Sequence, residues 1–239
     1  LLNIGTVDPG EEVSKSMDRS RVAYANVSEV SALQTNKVLR NTYILLSGTL
    51  LFSALMAGVG IAVKMPVLNP FLTLAVYFGL LFATAKTRNS SLGILFVFAL
   101  TGFMGLTLGP IVSLYVTALP NGSQVVMTAL GITGGTFLGL SAYAIKSGRD
   151  FSFMGGFLTV GILGAFLLGI VALIFNMPTL SLAVSAMFVL AMGGLILYQT
   201  SEIVRGGETN YIMATVTLYV SLYNLFTSLL HLLGVFGDE

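Results

Sequence analysis

Seven stretches of the chain, 42–63, 67–85, 92–117, 124–145, 153–175, 179–200 and 211–236, pass without an Asp, Glu, Lys or Arg. Each runs for about 18 residues or more, the length one helix needs to cross the hydrocarbon core of a bilayer. The breaks between them carry turn or charge signals: Lys64-Met65-Pro66, Lys86-Thr87-Arg88, Leu119-Pro120-Asn121-Gly122, the polar segment 146–150, Asn176-Met177-Pro178 and the polar loop 201–210. None of the seven alternates apolar and polar residues with period two, so they do not read as strands of a barrel. Backbone in lipid must satisfy its own hydrogen bonds, which leaves helices. The pattern predicts an all-α integral membrane protein with seven transmembrane helices.

Charge then sets the orientation. Lys86, Arg88, Lys146, Arg149 and Arg205 fall in loops on one side, with Lys15, Arg19, Arg21, Lys37 and Arg40 ahead of the first span; only Lys64 falls on the other. Positive residues concentrate on the cytoplasmic side, which places the N-terminus there and, after seven crossings, the C-terminal residues 237–239 outside. Residues 17–41 are polar, mixed in charge and too poor in apolar residues to build a core, so a flexible cytoplasmic tail is expected. Met17-Asp18-Arg19 resembles a natural start, and residues 1–16 are expected to be an upstream extension. The membrane domain is then 42–236. No basic segment followed by a short apolar run and a cleavage site opens the chain, so no removable signal peptide is expected.

Composition agrees and narrows the chemistry. Charged residues make up 9% of the chain, against about 25% in soluble domains, so lipid must be the solvent for most of the surface. There is no cysteine, hence no disulfide, thiolate nucleophile or cysteine metal site. The net charge of +1 is spread over short loops and gives no nucleic-acid footprint. No acidic or basic residue lies inside a span, His231 is the single histidine, and neither HExxH nor GxSxG occurs. Neither an enzyme nor a cofactor nor a bound metal is expected, and a proton pump would lack its intramembrane charges.

Many of the 27 glycines stand four apart. Gly131, Gly135 and Gly139 share one face of the fourth helix, as do Thr101, Gly105 and Gly109 on the third and Gly161, Ala165 and Gly169 on the fifth. Small residues at this spacing read as close helix packing. Pro110 removes a backbone donor within the third helix and is expected to kink it.

The last helix is the most informative. Thr217, Ser221, Asn224, Ser228 and His231 follow at steps of four, three, four and three, which sets all five on one face. Such a stripe is costly against lipid, so it should turn inward. Hydrogen bonding between helices and a watery functional cavity both remain open. His231, near the outer end, either snorkels or senses pH. In the last cytoplasmic loop, Glu202, Arg205 and Glu208 either pair with one another or form a gate or docking point.

Lys37-Val-Leu-Arg-Asn-Thr-Tyr43, Gly206-Gly-Glu-Thr-Asn-Tyr-Ile212 and Leu218-Tyr-Val-Ser-Leu-Tyr-Asn-Leu-Phe226, with segments 101–110 and 152–156, resemble the Bax inhibitor-1 family, and its bacterial inner-membrane branch in particular. The resemblance covers residues 17–236. It implies seven helices with the last one central among the other six. It further implies association with the FtsH protease and its HflK–HflC partners, as a poorly degraded substrate that restrains proteolysis, with the tail from Met17, Asp18 and Arg19 as the handle. Other members look like pH-sensitive calcium or proton leaks that pair aspartates on the sixth and last helices. The matching positions here hold Gln199 and Ser221, which do not titrate near neutral pH. That puts calcium in doubt and implies a neutral, hydrogen-bonded closure between the two. The expectation is a non-enzymatic inner-membrane protein that modulates a protease, with an ion leak as the alternative.

Overall fold

The structure, a computed structural model, describes the backbone of residues 9–236 and side chains from Leu33 onward. It consists of helices α1 (Pro9–Ala62), α2 (Pro70–Thr87), α3 (Ser91–Ala118), α4 (Gly122–Ser147), α5 (Met154–Ile174), α6 (Pro178–Arg205) and α7 (Tyr211–Phe236), with no strand among the described residues. All seven are long and apolar enough to cross a membrane, α1 through its part Leu33–Ala62. The chain is thus a seven-helix integral membrane protein. Phe82, Phe157 and Leu190 expose 70%, 78% and 80% of their surface, a disposition that only a lipid solvent makes favourable.

α1 is helical well upstream of residue 42, where the uncharged run begins. Met17, Asp18 and Arg19 fall on this upstream part, and their side chains lie outside the described residues. So do residues 1–8 and 237–239. The other ends match the hydrophobic pattern to within a few residues, with Lys86, Lys146 and Arg205 carried in the last turns of α2, α4 and α6. Cations there complement the helix dipole. Asn69 caps α2 by accepting from the Phe71 and Leu72 amides at 2.9 and 3.4 Å, with Pro70 in the first turn. Gly148 and Gly206 close α4 and α6 in the left-handed region, φ 58° and 77°, where a side chain would be strained.

The most extensive helix packing is between α1 and α3. A Cβ on Gly105 would strike the Ser53 carbonyl, and one on Gly109 the Ala57 carbonyl. The approach is reciprocal: a Cβ on Gly60 would lie 2.6 Å from the Leu106 carbonyl. Leu106 is four residues before Pro110, so its carbonyl has no helical N–H to accept from. α3 nevertheless runs through Pro110 to Ala118. Gly60 supplies the bare backbone that closes against this carbonyl, with weak Cα–H···O contact as compensation.

The other two glycine stripes behave differently. Gly131, Gly135, Gly139 and Gly161 have open space where a Cβ would be, and Gly169 would only reach Val184 at 3.5 Å. Of the three stripes, that of α3 meets backbone, that of α5 packs only through buried Ala165 and the Gly169–Val184 contact, and that of α4 lies open. The reason is facing: Gly131, Gly135 and Gly139 lie on an exposed side of α4.

Candidate functional site

α7 packs against α1, α3, α4 and α6. Half of it is buried, including Leu218, Tyr219, Ser221, Leu225 and Leu230. Of the five stripe residues, Ser221 and Ser228 are buried and Thr217, Asn224 and His231 half-buried. They bond mostly to their own helix. The Ser221 hydroxyl donates to the Thr217 carbonyl at 2.7 Å and the Asn224 amide to the Val220 carbonyl at 2.8 Å. Among the described residues, His231 alone of the five reaches a neighbour, its Nδ1 lying 2.8 Å from the Ser185 hydroxyl of α6.

Further bonds between α7 and other helices come from its opposite face. The Tyr219 hydroxyl sits 2.6 Å from the Ser53 hydroxyl of α1 and donates to the Thr101 carbonyl of α3 at 3.2 Å. A phenol has one proton, so if Thr101 receives it, Ser53 must donate to Tyr219. The Thr215 hydroxyl lies 2.7 Å from the Tyr211 carbonyl of its own helix and 3.2 Å from the Thr42 carbonyl of α1, and the shorter contact takes the larger share of its one proton. Stripe periodicity did not single out these residues, because they lie on the other side of α7 from the stripe. The one signal was a phenol that, when buried, needs a partner.

Gln199 and Ser221 are both buried, yet no hydrogen bond joins them among the described residues. Ser221 spends its proton on its own helix, and the Gln199 Nε2 has no partner. The Thr42 Oγ1 and the Tyr43 hydroxyl are likewise buried without a hydrogen bond. Back-bonding within α7 takes the serine proton and leaves the Ser221 oxygen as an acceptor.

The loops at the basic end are locked together around α6 and α7. Arg205 pairs with Asp150 of the α4–α5 loop at 3.0 Å, and Ser201 donates to the Arg149 carbonyl at 3.0 Å. The Ser152 hydrogen bonds, joined by the Arg205 guanidinium, hold the Asp150 carboxyl below its ordinary pKa. Glu208 accepts from the Asn210 amide at 2.7 Å. Glu202, Arg205 and Glu208 thus form no ion pair with one another among the described residues.

Asn210 joins two loops: its amide donates to the Arg88 carbonyl at 3.0 Å and to Asn89 at 2.9 Å, while its oxygen caps α7 by accepting from Met213 at 3.0 Å. Asn210→Ala removes a cap worth about 1 kcal/mol and two hydrogen bonds of about 1 kcal/mol each. The expected loss is about 2–3 kcal/mol, read by chemical unfolding in detergent. Asn210→Asp keeps the cap and should recover about 1 kcal/mol of it.

Next to this lock lies a groove of about 400 Å³ between α1 and the α6–α7 loop, lined by residues that include Thr35, Lys37, Asn41, Glu208 and Tyr211. Its walls mix apolar and polar groups and bear both signs of charge.

Seven apolar helices, a glycine-tight α1–α3 pair and a buried last helix define a membrane protein of the Bax inhibitor-1 family, to which this chain belongs. The family model described as inhibitor of apoptosis-promoting Bax1 matches residues 35–238. Among relatives, the chain is 50% identical over 220 residues to an uncharacterized protein of Pseudomonas aeruginosa, covering 91% of this chain and 95% of that one. It is 49% identical over 215 residues to the modulator of FtsH protease YccA of Escherichia coli K12, covering 90% and 97%. An uncharacterized membrane protein of Vibrio cholerae is 45% identical over 208 residues, 87% and 93% of the two chains.

Proposed function

We propose that this protein is a non-enzymatic modulator of an FtsH-type protease in the bacterial inner membrane, with its N-terminus and basic loops in the cytoplasm. The observation that carries the reading is similarity along nearly the whole of both chains to a protein named for that role. The positive residues of the loops supply the orientation. HflK–HflC are the further partners, and the chain acts as a poorly degraded substrate or inhibitor.

The engaging parts are the upstream segment of α1, from Met17, Asp18 and Arg19, and the groove beside Lys37 and Glu208. The interlocked loops support this role, since they give a partner a rigid platform rather than three loose segments. α7 is the central helix of the bundle, holding α1 and α3 by one face and α6 by the other. A calcium leak of the aspartate-paired kind has no titratable pair to work with at Gln199 and Ser221.

In mild detergent, the tagged full chain is expected to recover FtsH or HflK–HflC, and deletion of residues 17–35 should change its lifetime in growing cells. Absence of both partners together with an unchanged lifetime would overturn the reading. A calcium or proton flux in liposomes from the wild type would favour the leak instead.

A further inference from the structure

A cavity of about 670 Å³ opens between α2 and α5 and reaches inward to α7. α2 packs on α3 and α5 packs on α6, but no extended packing joins α2 to α5. They are bridged by an edge-on contact of the Phe78 and Phe166 rings, 5.8 Å apart. Along α5 the lining runs from Thr159 to Leu173, about 21 Å at 1.5 Å per residue. That is about two-thirds of the hydrocarbon thickness. The walls are apolar and aromatic, and Phe78, Leu163 and Leu173 are exposed, so the mouth faces lipid.

The floor is not apolar. Val220, Tyr223 and Asn224 of α7 form it, and Tyr77 of α2 stands at its side. Asn224 uses one N–H on the Val220 carbonyl. Its oxygen and second N–H have no partner among the described residues, and the Tyr77 hydroxyl makes no hydrogen bond there. Asn224 lies midway along α7, at bilayer mid-depth, where water does not supply the missing bonds. A phospholipid headgroup stays at the interface and cannot reach it. None of the lining residues is Asp, Glu, Lys, Arg or His, so the cavity offers no counter-charge to an ionic group.

We infer that this cavity binds a neutral, lipid-soluble molecule that carries a carbonyl or hydroxyl head on a long apolar chain. The chain lies along α5 and the head meets Asn224 and Tyr77 at mid-depth. Asn224 can donate and accept, and Tyr77 can donate, which matches either a quinone ring or a fatty alcohol. The inference stands independently of the protease reading.

The test uses the full chain in phosphatidylcholine nanodiscs with Phe166→Trp, which gives a single tryptophan because the chain has none. Decylubiquinone, a quenching probe, is titrated, with 1-hexadecanol as a non-quenching competitor. Saturable quenching is expected. Its reversal by hexadecanol shows that a hydroxyl head suffices; saturable quenching without reversal shows that the ring is recognised. Asn224→Leu and Tyr77→Phe should each weaken binding about three- to tenfold, one hydrogen bond's worth. Both variants are checked for unchanged tryptophan emission maximum and melting temperature before titration. Quenching that rises linearly without saturation, or equal affinity in folded Asn224→Leu and Tyr77→Phe proteins, overturns the inference.

Discussion

Gly105→Ala is expected to destabilise the protein by about 1–3 kcal/mol or more, while the same substitution at Gly131 should be neutral or stabilising by up to about 1 kcal/mol. Alanine is the better helix former at both sites, by about 1 kcal/mol. At Gly105 that gain is overridden, because the new methyl group would collide with the Ser53 carbonyl on α1. Backbone cannot move aside as a flexible side-chain end can, so α1 and α3 must separate. Separation would strip the Leu106 carbonyl of its Gly60 contact and pull Ser53 from Tyr219. At Gly131 nothing lies within 4 Å, and only the propensity acts. Thermal unfolding of the two variants in one detergent checks the pair. Shifts of the same sign would show that the α1–α3 contact does not hold the bundle together.

Tyr219→Phe is the second large effect, expected to cost about 1–3 kcal/mol. It removes the 2.6 Å bond with Ser53 and the 3.2 Å bond to Thr101, where α1, α3 and α7 meet. The Ser53 hydroxyl is then left buried, with only its own helix to turn to. Ser53→Ala alone should cost less, since the Tyr219 hydroxyl keeps its bond to the Thr101 carbonyl. In a double-mutant cycle, Tyr219→Phe with Ser53→Ala should cost clearly less than the sum of the single changes, a coupling of about 1 kcal/mol. Additive losses would mean that the two hydroxyls do not act together. Because the network lies away from the basic-end groove, partner recovery by folded Tyr219→Phe protein should be unchanged.

Much of the architecture could be read from the chain before any contact was known. The uncharged runs located all seven helices, and the run 211–236 coincides with α7. Of the stripe from Thr217 to His231, Ser221 and Ser228 are buried and Thr217, Asn224 and His231 half-buried, while the opposite side of α7 is the more fully buried one. What the stripe does was not legible. Ser221 and Asn224 turn back on their own carbonyls, a choice between equal acceptors that spacing cannot rank. The anchors that reach other elements, Tyr219 and Asn210, occur singly and form no period. Arg205 pairs with Asp150, more than fifty residues away in sequence, rather than with the glutamates beside it. Gln199 and Ser221 share burial without sharing a hydrogen bond.

The division has one physical cause. Whether a segment enters the membrane depends on the sum of its own residues' transfer free energies, so span number and position are local properties and stand in the sequence. Which face of a helix meets another helix is decided between two apolar surroundings, lipid tails and side chains, that differ little in hydrophobicity. The stripe of Thr101, Gly105 and Gly109 and that of Gly131, Gly135 and Gly139 look alike in one dimension. Yet Gly105 and Gly109 touch backbone, while Gly131 and Gly135 face open space. Only shape complementarity across two helices distinguishes them, and that exists in the tertiary structure alone.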